Sequence, residues 1–407
     1  MHARLDLLGH PEKELKFIHL AGSNGKGSTG SMLAASLKKS GLKTAFYTSP
    51  FLVDFCERWR INGQNMSQED FALCTEKIMN IDAEFQKKTG VKATYFEVLT
   101  AIALIYFAEQ QVDVVVWETG MGGRLDATNV VDPLLSIITN ISLDHCQYLG
   151  DTLLDIAKEK AGIIKQGRPL ITAVDQEEVI EAFKTICHEK NVPMHLLNHD
   201  FTVTNKKQNG LLRDISLEDK KTIDYKISLA GRHQIKNSAL AVKALIELEK
   251  IGFIQDLPLA LEALSQTIWP GRMQSLTNGL LIDGAHNPDA TTQLMASLSE
   301  IKPNQKWHFA IGILEDKDWQ QVIDLALPFA EKITILPVAN VRTSKPENIQ
   351  SYLKGKGFNS QIETVESFLK RDDFTNTVLF GSLYLIGEVL NLTYSGEDIP
   401  IDTIEDY

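Results

Sequence analysis

A glycine-rich run between an apolar segment and a helical pattern constrains this chain most strongly. Residues 17–20 form a short β-rich apolar segment, and residues 28–39 repeat apolar positions at helical spacing. Glycines let backbone N–H groups turn towards an anion, a helix N-terminus adds positive potential, and a lysine can reach terminal phosphates. The position of the run therefore predicts a nucleotide-phosphate loop in an open α/β sheet. The run reads Gly22-Ser23-Asn24-Gly25-Lys26-Gly27-Ser28.

The spacing of this loop departs from the strict G-x4-G-K-[ST] pattern. Only two residues separate Gly22 from Gly25, and Gly27 stands where a hydroxyl residue would ordinarily ligate Mg²⁺. If the loop binds Mg-ATP, another hydroxyl or carboxylate must therefore hold the metal. The alternative interpretation is a glycine-rich turn with a solvated lysine.

Strand-like and helix-like segments alternate along all 407 residues, a length that favours two domains. Residues 195–230 change to short alternating segments and predict a small β subdomain. A Pro270-Gly271 break then suits a hinge. The expected fold class is α/β. It comprises a P-loop mononucleotide-binding N-terminal domain (1–269) with the small β subdomain, and a smaller Rossmann-like α/β C-terminal domain (270–407).

Composition excludes several classes of protein. Lysine and arginine number 41 against 53 aspartates and glutamates, a net charge of −12, so no nucleic-acid partner is expected. No apolar run reaches the roughly 18 residues of a membrane span, and no signal peptide opens the chain. The four cysteines are widely spaced without a CxxC pair, so we expect neither disulfides nor a cysteine zinc site. A cytoplasmic protein without a membrane partner is therefore expected.

Three residues with metal-binding chemistry stand at the ends of predicted strands. They are Ser49, Glu118 and His145. Open α/β sheets bind ligands at the carboxyl ends of their strands, so a hydroxyl, a carboxylate and an imidazole there could hold a phosphate-bridging Mg²⁺. Each residue alone has a plainer interpretation, as a turn, a solvated glutamate or a hydrogen-bonded structural histidine. Their coincidence with the phosphate loop favours the metal site.

Seven further motifs follow the phosphate loop along the chain, at residues 47–50, 118–129, 143–145, 159–163, 231–233, 270–272 and 283–288. Together these eight motifs, in this order, resemble folylpolyglutamate synthase/dihydrofolate synthase, the folate branch of the Mur-type ATP-dependent amide ligases. The resemblance covers nearly the whole chain. It implies ATP held between two domains, transfer of its γ-phosphate to a carboxylate, and attack of the glutamate amino group on the resulting acyl phosphate.

The resemblance assigns catalytic roles to Lys26, His145, Lys160, Arg272 and His286. Lys26 would hold the β/γ-phosphates and Arg272 would reach the γ-phosphate. From the residues alone, Arg272 could equally be a surface arginine beside a turn. The residues assigned to nucleotide binding are Asn24, Gly25, Lys26, Gly27, Ser28, Asn237 on the adenine side, Arg272 and Asp283.

The resemblance also implies two Mg²⁺ sites. Ser49 and Glu118 would ligate the first ion, and His145 would belong to the second position. Lys160 aligns with a lysine that is carbamylated in relatives, which would turn a cation into a metal-binding anion. Without the resemblance, Lys160 would be taken for a solvated helix lysine.

For the acceptor, Phe96, Arg124 and Asp126 are similar to pterin-contacting positions. An aromatic face can stack on the flat ring, and a carboxylate can accept hydrogen bonds from its amino edge. Phe96 as ordinary helix core is the alternative. The form of residues 124–129 is similar to that of bifunctional bacterial members. It favours joining L-glutamate to dihydropteroate as well as to tetrahydrofolate. The resemblance to the family also implies a monomer.

Two other functions stay open at this point. One is another Mur-type ligase acting on a UDP-linked cell-wall precursor, although the order Lys26-Gly27-Ser28 differs from the one expected there. The other is a catalytically impaired relative that binds ATP without turnover. The presence of every proposed catalytic residue argues against the second.

Overall fold

The computed structural model describes residues 1–209, 212–276 and 279–394, so the last part of the predicted C-terminal domain, 395–407, lies outside the described residues. The described chain divides into two compact units. The first contains Met1–Ser228 and Ile235–Thr267, and the second contains Leu229–Gln234 and the chain from Ile268 onward. The sequence did not indicate that Leu229–Gln234 would join the second unit. The boundary at 269/270 stays a prediction.

The first unit is built on a mixed sheet with the strand order β4-β3-β2-β5-β1-β6-β7-β8. The six strands from β2 to β8 in that order are parallel, and β3 and β4 add an antiparallel edge. β1 and β5 are buried along their whole length, as expected for central strands covered on both faces. The strands are β1 (Phe17–Ala21), β2 (Thr44–Tyr47), β3 (Trp59–Ile61), β4 (Gln64–Asn65), β5 (Val114–Glu118), β6 (Leu135–Ile138), β7 (Leu170–Thr172) and β8 (Met194–Leu196).

Helices cover this sheet, and their starts follow local capping chemistry. Ser67 accepts a hydrogen bond from the Asp70 amide, and Thr94 forms a capping box with Glu97. The helices that begin before residue 260 are α1 (His2–Leu8), α2 (Lys26–Lys39), α3 (Gln68–Thr89), α4 (Tyr95–Glu109), α5 (Cys146–Leu149), α6 (Leu153–Lys160), α7 (Glu177–Glu189), α8 (His233–Lys250) and α9 (Leu257–Glu262).

The predicted β subdomain is present as an antiparallel three-stranded sheet with the order β11-β10-β9. Successive residues of β11 alternate between exposed and buried, the pattern of a sheet with one solvated side. Its strands are β9 (Thr202–Asn209), β10 (Leu212–Glu218) and β11 (Thr222–Ile227).

The second unit has a six-stranded sheet with the order β12-β13-β17-β14-β15-β16, parallel except for β12. Its strands are β12 (Gln274–Ser275), β13 (Leu280–Asp283), β14 (Trp307–Ile311), β15 (Ala330–Ile335), β16 (Ser360–Ile362) and β17 (Thr377–Phe380). Its helices are α10 (Pro288–Ile301), α11 (Trp319–Ala326), α12 (Pro346–Gly355), α13 (Val365–Leu369) and α14 (Leu383–Thr393). In the described part of the chain, no helix combines the length and apolar character needed to cross a membrane.

Candidate active site

The predicted phosphate loop joins β1 to α2, and the residues after β6 hold its conformation. Gly25 precedes the helix with φ of 85°, in the left-handed region that favours glycine. The amide of Ser23 donates to the Asn140 carbonyl (3.1 Å) and the amide of Asn24 donates to Asn140 Oδ1 (2.8 Å). Ser142 and Ser23 hydrogen-bond each other at 3.0 Å. Sequence reasoning missed Asn140 and Ser142, although the strand-end rule that singled out His145 also applies to them.

Two predicted catalytic lysines meet at one backbone carbonyl of this loop. Lys26 Nζ donates to the Gly22 carbonyl oxygen at 2.9 Å, and Lys160 Nζ donates to the same oxygen at 3.0 Å. Glu118 Oε1 lies 3.9 Å from Lys26 Nζ. Lys160 and Glu118 are each 4% exposed, so the solvated-lysine interpretation of Lys160 is wrong. The structure thus brings Lys26, Glu118 and Lys160 together at the end of β1.

The buried position changes the protonation of Lys160. Burial, and then the positive charge of Lys26, lower the pKa of the Lys160 ammonium to about 7, while Asp144 and Asp126 act in the opposite direction. A substantial fraction of this side chain is therefore a neutral amine near neutral pH. A neutral amine is the form of lysine that reacts with electrophiles.

A threonine holds the predicted metal-binding carboxylate. Thr48 Oγ1 donates to Glu118 Oε2 at 2.5 Å, and both side chains are buried. Ser49 follows directly and is partly exposed. Sequence reasoning quoted Thr48 within its motif but gave it no role. The signal available was a second hydroxyl at the same strand end.

The predicted second metal position, at His145, is more exposed to solvent than Glu118. His145 has a φ of 54° and precedes α5. Its ring Nε2 lies 3.8 Å from Asp144 Oδ2, and nearly half of its side chain is exposed. Within the described ranges, no group of three or more histidine, cysteine, aspartate or glutamate side chains is arranged to hold a metal ion. A metal bound near Glu118 would therefore need hydroxyl and phosphate oxygens as well.

The loop at residues 118–129 packs tightly on the end of α6. The amide of Arg124 donates to the Glu159 carbonyl at 2.7 Å, and Asn129 Nδ2 donates to the carbonyls of Arg124 and Gly162, each at 3.1 Å. A Cβ on Gly123 would lie 2.8 Å from the carbonyl oxygens of Glu159 and Lys160. Two motifs that are distant in sequence therefore form one backbone-packed structure, which places Lys160.

Phe96 packs against this loop, and Asp126 is part of it. A Cβ on Gly120 would lie 2.5 Å from the Phe96 ring, whose centroid is 6.1 Å from that of Tyr47. Asp126 accepts hydrogen bonds from the amides of Met121 (2.8 Å) and Thr128 (3.0 Å). Burial raises the pKa of its carboxyl group, although these bonds oppose the shift. The Phe96 ring and the Asp126 carboxylate are thus both positioned by the 118–129 loop.

Arg124 and Asn237 have different environments. The Arg124 side chain is largely exposed and pairs with Glu159 at 2.8 Å. Asn237 on α8 is buried, and its Oδ1 lies 2.5 Å from the position that a Cβ on Gly25 would take. The predicted adenine-side asparagine therefore lies against the phosphate loop, at a glycine that leaves room for it.

The second unit contains Arg272, Asp283 and His286. Asp283, at the end of β13, is 5% exposed, and burial raises the pKa of its carboxyl group against the effect of Arg272. Arg272 Nη1 donates to the Gly271 carbonyl at 3.2 Å. His286 Nδ1 lies 2.8 Å from the carbonyl oxygen of Gly284. The structure thus places Asp283 and His286 at the carboxyl end of β13, and Arg272 in the turn before β12.

Comparisons with known proteins agree with this architecture. The family model described as the Mur ligase middle domain matches residues 20–245, and the Mur ligase, glutamate ligase domain matches residues 271–379. The dihydrofolate synthase/folylpolyglutamate synthase of Bacillus subtilis is 34% identical over 394 residues, which cover 94% of this chain and 91% of that relative. This chain belongs to the folylpolyglutamate synthase/dihydrofolate synthase family of Mur ligases.

Solved structures of the family have the same fold. The folylpolyglutamate synthase of Thermotoga maritima superposes with a TM-score of 0.87 at 32% identity, covering 97% of this chain and 93% of that one. A solved FPGS–AMPPCP–folate complex has a TM-score of 0.83 at 30% identity, covering 96% of this chain and 93% of that one. The predicted family and α/β fold class are confirmed. The roles of the individual site residues stay predictions.

Proposed function

We propose that this chain is an ATP-dependent ligase that forms a carbon–nitrogen bond between L-glutamate and a folate acceptor. The observation that carries the proposal is the meeting of Lys26, Lys160 and Glu118 around the end of β1, within a fold that matches this ligase family over nearly its whole length. A buried carboxylate and two lysines beside a glycine-rich loop suit the binding and transfer of a phosphoryl group.

The chemistry proceeds in two transfers. An oxygen of the acceptor carboxylate attacks the γ-phosphorus of ATP, the bond to the β–γ bridging oxygen breaks, and ADP leaves. The amine of glutamate then attacks the carbonyl carbon of the acyl phosphate, inorganic phosphate leaves, and the nitrogen loses a proton. The protein contributes positioning and neutralisation of charge rather than a covalent bond.

The phosphate loop supplies the nucleotide contacts in this proposal. The amides of Gly25, Gly27 and Ser28 donate to phosphate oxygens, as the N-terminus of α2 favours. The Asn24 amide already donates to Asn140 Oδ1, so Asn24 would contact the nucleotide through another group. Lys26 exchanges the neutral Gly22 carbonyl for the β/γ-phosphates, because a charged acceptor forms the stronger hydrogen bond. The remaining proposed contacts are Asn237 on the adenine side, Arg272 at the γ-phosphate, and Asp283 and His286 at the nucleotide or the transferring group.

The donors present at the ends of β2 and β5 fit Mg²⁺. The Ser49 hydroxyl and the Glu118 carboxylate are hard oxygen ligands, and magnesium sites combine one or two carboxylates with phosphate oxygens. Mg²⁺ bound there would neutralise charge on the transferring phosphate. Thr48 orients Glu118 by its hydrogen bond to Oε2. We propose that His145 and Lys160 belong to a second site.

Lys160 suits a metal site in its carbamylated form. A pKa of about 7 leaves much of the amine unprotonated at neutral pH, which addition of CO₂ requires. The carbamate is an anion with two oxygen donors. Its formation would also remove the cost of burying a second cation beside Lys26.

The acceptor is a folate or dihydropteroate, held by Phe96, Arg124 and Asp126. A bifunctional enzyme is supported by the form of residues 124–129 and by the two activities in the name of the Bacillus subtilis relative. The Thermotoga maritima structure is named for folylpolyglutamate synthesis alone. We propose both activities, carried out by a cytoplasmic monomer.

The test is product formation from Mg-ATP and L-glutamate with dihydropteroate, with tetrahydrofolate, or with no acceptor. Mass spectrometry identifies the glutamylated product, and phosphate release measures turnover. Products from both acceptors support the bifunctional enzyme, and a product from tetrahydrofolate alone restricts it to chain extension. A well-folded protein that forms neither product contradicts the proposal.

A further inference from the structure

The turn that carries Arg272 has an unusual backbone. Gly271 and Met273 have φ angles of 70° and 43°, so the residues on both sides of Arg272 lie in the left-handed region. That conformation costs energy for methionine, and it persists only where the surroundings support it. The conformation of this turn therefore requires a partner.

Asp283 is that partner. Its Oδ2 accepts a hydrogen bond from the amide of Met273 at 2.9 Å, and its Oδ1 accepts one from the amide of Ala285 at 2.8 Å. One carboxylate thus joins the end of β13 to the residue that follows Arg272. Because the group is 5% exposed, its hydrogen bonds to the backbone are protected from water.

Gly284 leaves the space in which the Arg272 guanidinium lies. A Cβ at this position would stand 2.0 Å from Arg272 Nη1, 3.3 Å from Arg272 Cζ and 2.5 Å from a methyl carbon of Leu383. Gly284 does not have a left-handed backbone, so alanine is compatible with its conformation. An added methyl group would therefore displace the guanidinium, which is the end of a flexible side chain, without opposing the backbone.

We propose that Asp283 and Gly284 are positioning residues for Arg272: Asp283 sets the backbone turn, and Gly284 sets the direction of the guanidinium. In this inference Asp283 acts on the reaction through Arg272, in addition to the nucleotide contact proposed above. It rests on the proposed function, in which Arg272 meets the γ-phosphate. A guanidinium stabilises transferring charge only when it is already placed and needs no reorganisation.

The test compares Gly284→Ala, Arg272→Ala and the double variant with the wild-type protein. We expect Gly284→Ala to lower kcat by about 100-fold, the usual effect of misplacing a catalytic group by an ångström. Because Gly284 acts through Arg272, the double variant should be no slower than Arg272→Ala alone. The matched control is Gly355→Ala at the exposed end of α12, where no atom lies within 4 Å of the added Cβ. Gly284→Ala and the control should change the melting temperature equally little.

A binding measurement provides a readout that is independent of turnover. Calorimetry of AMPPCP and ADP compares nucleotides with and without a γ-phosphate. Arg272→Ala and Gly284→Ala should both reduce the preference for AMPPCP, to the same extent. Asp283→Asn replaces one acceptor by a donor that faces a backbone amide, and it should show the same reduction if it folds.

Several results would overturn the inference. These are wild-type kcat and nucleotide preference in Gly284→Ala, wild-type behaviour of Arg272→Ala, or effects of the two substitutions that multiply in the double variant. A wild-type protein that forms no glutamylated product contradicts the proposed function instead. In that case the AMPPCP-to-ADP ratio still tests the positioning of Arg272.

Discussion

Lys160 in the first unit and Arg272 in the second are both predicted catalytic residues, yet their surroundings differ. Lys160 is 4% exposed and donates to a backbone carbonyl, and the backbone of the 118–129 loop packs on the helix end that carries it. Arg272 is partly exposed, and its guanidinium lies in the space left by Gly284. Backbone packing fixes the position of Lys160, whereas the Arg272 guanidinium occupies the space that Gly284 leaves free.

The difference concerns what a glycine does in each motif. Gly123 and Gly162 allow two backbones to approach, and a packed backbone cannot move aside. Gly284 allows a side-chain end to approach, and that end can move. We therefore expect added methyl groups to damage stability in the first motif and catalysis in the second.

The largest expected effect is on turnover. Lys160→Ala should lower kcat by about 10³-fold, because it removes the proposed metal-binding carbamate from the site of phosphoryl transfer. ATP binding, measured by calorimetry, should persist because the phosphate loop is intact. The matched control is Lys158→Ala, an exposed lysine on the same helix. Unchanged turnover in Lys160→Ala would show that Lys160 has no role in catalysis. The comparison with Arg272 would then no longer hold.

Gly162→Ala should have the next largest effect, on stability. The new Cβ would stand 2.2 Å from Arg124 Cα and 2.5 Å from Arg124 N, both backbone atoms. We expect the free energy of unfolding in urea to fall by about 3 kcal/mol, the upper range for overpacking. Gly355→Ala again serves as the control. If Gly162→Ala is as stable as the control, backbone packing does not distinguish the two motifs.

Substitution of Thr48 should have a smaller effect. Thr48→Val keeps the shape of the side chain but removes the donor to Glu118 Oε2. The Mg²⁺ concentration that gives half-maximal activity should rise about tenfold, as for other residues that orient a metal ligand. Thr48→Ser retains the hydroxyl and should restore most of the affinity. Equal Mg²⁺ dependence in the valine and serine variants would exclude this role.

A gradual effect is expected on the pH dependence of stability. The folded pKa of Lys160 is about 7, below the ordinary 10.5, so the unfolded chain binds more protons between these values. The contribution of Lys160 to the free energy of unfolding should therefore rise with pH in that range, by at most about 1.4 kcal/mol per pH unit. Denaturation in CO₂-free buffer measures this slope, and Lys160→Met should lack it. Identical slopes would show that Lys160 is not buried as a free amine.

Much of the fold was predictable because it depends on short stretches of sequence. The β1–loop–α2 unit, the cap at Ser67 and the antiparallel sheet at residues 202–227 follow from local periodicity and capping. The three-residue strands β7 and β8 were not predicted, because three residues are too few to show a clear alternation of apolar and polar positions. The antiparallel edge strands β3 and β4 were missed for the same reason.

The sequence by itself determined the family, the α/β class and the residue types available for phosphoryl transfer, because ordered motifs and local patterns are present in the chain before it folds. Only the tertiary structure decided which side chains meet. Lys160 and Gly22 are 138 positions apart, and Thr48 and Glu118 are 70 apart. The burial of Lys160 and the space beside Gly284 likewise arise only when separate segments pack. Such contacts depend on distances in space, which no window of sequence contains.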